Sequence, residues 1–185
     1  PQIALDIIEE IMKALDYAHS RRIYHRDIKP DNIMFRQDST PVLVDFGIAR
    51  LYNPSDDLTK DKRAMGTIYY MSPEQCRSQQ EVDGRSDIYS LGVVLYEILT
   101  GKKPYKGETL ISIAYKHVEE PIPALPPDLS RYQPLLNKMM AKDKEKRMAN
   151  RTQFGQELYR ILTGPQTAPR KTAPAPPPKT APTDI

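Results

Sequence analysis

The chain has 185 residues, which suits one domain with a tail, and 39% are hydrophobic, enough for a packed core. A formal net charge of +3 gives no reason to expect a nucleic-acid or membrane-surface partner. The lone cysteine, Cys76, excludes an internal disulfide and fits a reducing, cytoplasmic setting.

Residues 3–20 open the chain with Ile8, Ile11, Met12, Leu15 and Ala18 at helical spacing, an amphipathic helix that ends at His19, read as a capping or packing residue. The chain starts at Pro1-Gln2 without an initiator Met, so a piece of a longer protein is expected; no signal peptide is visible. Ile33-Met34-Phe35 and Val42-Leu43-Val44 read as two short strands around a turn at residues 37–41. Residues 48–71 are charged and weakly periodic, which reads as a long surface loop. From Asp87 to Gly101 the pattern is apolar nearly all round, the mark of a buried helix stopped by glycine. Shorter helices are expected at Leu110–Val118 and Leu135–Ala141, separated by the proline-rich 121–127, and a last one at Phe154–Leu162. Residues 164–185 hold seven prolines among Ala, Thr and Lys and read as a disordered linker after a domain at 1–163. No apolar run approaches the roughly 18 residues a membrane helix needs.

The chemistry concentrates in His25-Arg26-Asp27-Ile28-Lys29-Pro30-Asp31-Asn32 and in Asp45-Phe46-Gly47. Asp27 offers a base for a hydroxyl proton, Lys29 a cation for an anion, and Asn32 and Asp45 two oxygen ligands for a hard cation of the magnesium type. The strand pair brings Asn32 and Asp45 together. Such a set suits phosphoryl transfer, where positioning and charge neutralisation matter more than covalent chemistry.

With Ser72-Pro73-Glu74 added, the ordered motifs HRDIKPDN, DFG and SPE resemble the catalytic loop and activation segment of eukaryotic-type (Hanks-type) serine/threonine protein kinases, with Ser72 where the family carries alanine. The resemblance implies a mainly α fold, the kinase C-terminal lobe, with a short β-hairpin carrying the catalytic and metal-binding loops. It implies ATP and Mg2+ (or Mn2+) as cofactors and Ser/Thr hydroxyls of proteins as acceptors. By position, Asp27 matches the catalytic base, Lys29 the lysine on the transferred phosphate, and Thr67 the threonine bridging the two. Asn32 and Asp45 match the metal ligands, and Met34 the apolar residue beneath adenine. His25 and Phe46 match two members of a stacked spine, Asp87 the residue holding the catalytic loop, and Glu74 and Arg147 a buried ion pair. The last register lacks the family's proline in Asp143-Lys144-Glu145-Lys146-Arg147. Arg26 before the base resembles kinases switched on by activation-loop phosphorylation, with Thr59 the first expected site and Ser55 the second.

No G-x-G-x-x-G occurs in these residues, so the small lobe that would cover the nucleotide is expected to be missing, and the chain alone to be inactive. The style of Gly66–Gln75 and the proline-rich tail resemble bacterial kinases whose linker leads to a membrane or sensor segment. The alternatives are a pseudokinase-type scaffold that binds nucleotide or partner proteins without catalysis, and a small-molecule kinase with a related lobe.

Overall fold

The computed structural model describes residues 1–46, 66–77 and 82–164. The first helix, α1, spans Gln2–His19, and its stripe Leu5, Ile8, Ile11, Met12 and Leu15 is fully buried. The hairpin β1 (Ile33–Phe35) and β2 (Pro41–Leu43) follows, antiparallel, with Ile33 opposite Leu43 and Phe35 opposite Pro41. The second strand ends one residue before the sequence expectation. Even so, the Val44 N–H still donates to the Asn32 carbonyl at 3.0 Å, so the pairing extends past the strand ends.

Then come α2 (Pro73–Cys76), α3 (Gly84–Thr100), α4 (Leu110–Glu119), α5 (Gln133–Met139) and α6 (Arg151–Thr163). Each boundary has a local chemical cause. Asp83, Thr109 and Asn150 accept N–H bonds from the first turns of α3, α4 and α6. Gly101 ends α3 at φ 67°, a left-handed conformation that costs glycine nothing.

The centre of the molecule is α3. It is buried continuously from Ser86 to Tyr96 and packs against α1 on one side and α5 on another. Gly92 allows that second contact: a Cβ there would lie 2.8 Å from Met140 Cγ and 2.9 Å from Met139 Cβ. Helix α1 also packs on β2 and α6, and α2 on α4, so one core runs through the helices and leaves the hairpin at its edge. No described helix is long and apolar enough to cross a membrane.

Candidate active site

The loop at residues 25–32 is reached from α1 through Arg21–Tyr24 and turns sharply at Arg26, whose φ is 63°. A non-glycine residue held there carries strain of about 1–3 kcal/mol, so neighbouring contacts must fix it. Asp87, buried in the first turn of α3, supplies them. Its Oδ1 accepts the Arg26 N–H at 2.7 Å, and its Oδ2 accepts the His25 N–H at 2.9 Å. His19 places Nε2 at 2.8 Å from the same Oδ2, so the end of α1 is tied to this carboxylate as well. From the far side, the Gln75 side-chain amide donates to the Arg26 carbonyl at 2.8 Å.

His25 is fully buried. Its Nε2 lies 3.0 Å from the Val44 carbonyl, while its Nδ1 accepts the Asp27 N–H at 3.3 Å. A carbonyl cannot donate and an amide N–H cannot accept, so the two contacts together select the neutral ring protonated on Nε2. The His25 ring packs on Phe46 with centroids 4.7 Å apart.

With the loop pinned, three polar side chains converge. Lys29 Nζ donates to Asp27 Oδ2 at 3.0 Å and to Thr67 Oγ1 at 3.1 Å, and the Thr67 hydroxyl donates to Asp27 Oδ1 at 3.0 Å. Carboxylate, ammonium and hydroxyl form a closed triangle across 40 residues of chain. Asn32, buried in the 3₁₀ turn Pro30–Asn32, donates its side-chain amide to the Asp27 carbonyl at 2.7 Å. That bond fixes the Asn32 amide group and leaves its oxygen as an acceptor. Asp45 follows the hairpin at φ 57°, exposed, with no ion-pair partner among the described residues. The amide oxygen and this carboxylate are hard oxygen donors at one end of the hairpin and suit a magnesium-type ion. Met34 lies on the hairpin beside them and is 54% exposed.

The segment after Thr67 is anchored below the loop. Ser72 caps α2 in a reciprocal box: its Oγ accepts the Gln75 N–H at 3.3 Å, and its N–H donates to Gln75 Oε1 at 3.0 Å. Serine at the family's alanine position therefore has a local structural use. Glu74 takes two bonds from Arg147, at 2.6 and 3.1 Å, and a third from the Ser86 hydroxyl. Burial pushes the Glu74 carboxyl up, but Arg147 and Ser86 outweigh it and hold the group below the usual carboxylate range. Arg147 also donates to the Ala141 and Arg85 carbonyls, so the register holds without the proline.

Two neighbouring features had no signal in the sequence reading. Tyr70 donates to Glu97 at 2.6 Å. Lys142 donates to the His117 and Lys116 carbonyls at 2.7 and 3.2 Å, capping the C-terminal turn of α4 from another element. Burial pushes the Lys142 ammonium down to about 8. Burial, then the Lys142 charge, pushes His117 down to about 3, so it is neutral at pH 7. Thr59, Ser55 and the linker from residue 165 lie outside the described residues.

This helical lobe, with its edge hairpin and polar triangle, defines a class: residues 1–159 match the family model of the protein kinase domain, and the chain belongs to that family. Its fold is the mainly α, kinase C-lobe-like arrangement. Among the curated relatives, the serine/threonine-protein kinase PknB of Mycobacterium leprae is 41% identical over 178 residues, 92% of this chain and 28% of that kinase. A probable serine/threonine-protein kinase of Clostridium acetobutylicum is 45% identical over 161 residues, 86% of this chain and 24% of its own length. The probable PknB of Bifidobacterium longum is 42% identical over 159 residues, 83% of this chain and 23% of its own. The chain thus spans about a quarter of the length of the curated relatives it matches.

Proposed function

We propose that residues 1–163 form the acceptor-side lobe of a serine/threonine protein kinase, with residues 164–185 a linker. The observation that carries this reading is the Asp27–Lys29–Thr67 triangle, held on a strained loop by Asp87. In the proposed reaction a Ser or Thr hydroxyl of a protein approaches Asp27 and passes its proton to the carboxylate as the oxygen attacks the γ-phosphorus of ATP, whose bond to the β-phosphate oxygen breaks so that ADP leaves. Lys29 sits beside that carboxylate and faces the charge developing on the transferred group. Thr67 orients both. Asn32 and Asp45 would hold magnesium, which when bound neutralises phosphate charge, and Met34 would lie beneath the adenine. Lys29-Pro30 supports Ser and Thr over Tyr as acceptors, and the relatives named serine/threonine kinases point the same way.

The test is Asp27→Asn in the complete kinase. Turnover should fall about 10²- to 10⁴-fold while ATP–Mg affinity stays nearly unchanged, because the base acts on the acceptor and not on the nucleotide. Near wild-type turnover would remove Asp27 from the role.

The reading includes a switch. The Arg26 guanidinium has no carboxylate partner among the described residues, and its Nε is buried without an acceptor. A phosphate on Thr59, or on Ser55, would supply acceptors to this cation and settle the segment around Thr67. Mass spectrometry of the active kinase should find phosphate between Asp45 and Thr67; its absence from fully active protein would exclude the switch.

A further inference from the structure

The loop that follows α3 carries three lysines in five residues, Lys102, Lys103 and Lys106, and among the described residues none is in an ion pair. Lys103 is the one held in place. Its ammonium lies 4.0 Å from the centroid of the Tyr69 ring and 5.3 Å from that of Tyr70. Both tyrosines belong to the 3₁₀ turn Ile68–Tyr70, which starts at Thr67, and Thr67 bonds Asp27. The cation is thus fixed by aromatic faces rather than by a carboxylate, two residues along the chain from the site. A ring face attracts an ammonium without neutralising it, so its charge stays available to an outside anion. The nearby acid Glu97 is engaged by the Tyr70 hydroxyl at 2.6 Å and forms no ion pair with these lysines among the described residues. A carboxylate thus meets the Tyr70 hydroxyl, while an ammonium lies over the Tyr69 ring.

We infer that Lys103, with Lys102 and Lys106 close to it in the chain, reads an acidic side chain in the protein substrate. This rests on the kinase reading above and narrows its substrate class to peptides with Asp or Glu a short distance from the phosphorylated Ser or Thr. Two residues of 3₁₀ path plus the side chains put the ammonium roughly 10–15 Å from Asp27, which an extended peptide spans in about three to five residues. An acid there meets the lysine while the hydroxyl is at the base.

The experiment uses the complete kinase and synthetic Ser peptides in which one Asp, or an Ala, is moved along both flanks of the acceptor. The readout is the ratio of kcat/KM for the Asp peptide to that for the Ala peptide within one preparation, so loss of folded enzyme cancels. At its best position wild type should favour Asp about 5-fold, the scale of one exposed charge pair, and less as salt is raised. Lys103→Met should bring the ratio near one, and Lys103→Glu below one. A wild-type ratio near one at every position, or an unchanged ratio in both variants, overturns the inference while leaving the kinase reading intact. No transfer to any peptide by the wild type overturns the kinase reading, and this inference with it.

Discussion

Single residues here act mostly by holding other groups in costly states. Asp87 places no atom in the Asp27–Lys29–Thr67 triangle, yet it fixes the Arg26 turn on which Asp27 sits. Glu74 and Arg147 are both buried, so removing one partner strands the other charge at a cost of about 3–5 kcal/mol. His117 and Glu74 also set how the lobe responds to acid. Both have folded-state pKa values below their ordinary ones, His117 at about 3 through burial and the Lys142 charge, Glu74 through its Arg147 and Ser86 bonds after burial is overcome. The unfolded chain then binds more protons on the acid side, so their stabilisation is full above the unfolded pKa and is lost as pH falls through the folded one. Between pH 7 and pH 5 His117 alone should remove about 2 kcal/mol, since the unfolded ring titrates near 6.5 while the folded ring stays neutral. Urea titrations at the two pH values check this. His117→Gln should flatten the slope, and equal slopes in both proteins would assign the acid sensitivity to other groups.

At the scale of elements, helices were legible where a stripe or an all-round apolar run stood out, as in α1 and α3. The Ser72 cap is written in the sequence as S-x-x-Q, a capping-box pattern that the family motif overlaps. Lys103 over Tyr69 and Lys142 under α4 join residues more than twenty apart through ring faces and backbone carbonyls, and no periodicity or motif marks such contacts. The residues of the triangle, and the bridge from Thr67 to Asp27 and Lys29, were legible through family motifs; the fold adds the distances and the Asp87 bonds that pin the loop. Helix packing gives a paired test. Gly92→Ala in α3 drives a methyl into Met139 and Met140 and should destabilise by about 1–3 kcal/mol. Gly155→Ala in α6 meets nothing within 4 Å and should stabilise by about 0.5–1 kcal/mol through helix propensity. Thermal unfolding of both variants reads the two signs, and destabilisation of equal size would refute the close α3–α5 contact.

At the scale of the whole molecule, the triangle and Asp45 lie at an edge of the lobe, with Met34 and Phe35 each 54% exposed on the adjoining hairpin. Ligand sites bury most of a bound small molecule, and nothing in the 185 residues supplies the glycine-rich loop that would enclose phosphates here. As proposed, these residues hold the acceptor side of a phosphoryl-transfer site, and a second lobe would supply the nucleotide side. The direct measurement is phosphate incorporation from radiolabelled ATP–Mg into a generic protein substrate by the purified 185-residue chain, beside its Asp27→Asn control and the complete kinase. The expected result is signal from the complete kinase and none above the control from the chain alone. Transfer by the chain above that control, or none by the complete kinase, would contradict this division of the site.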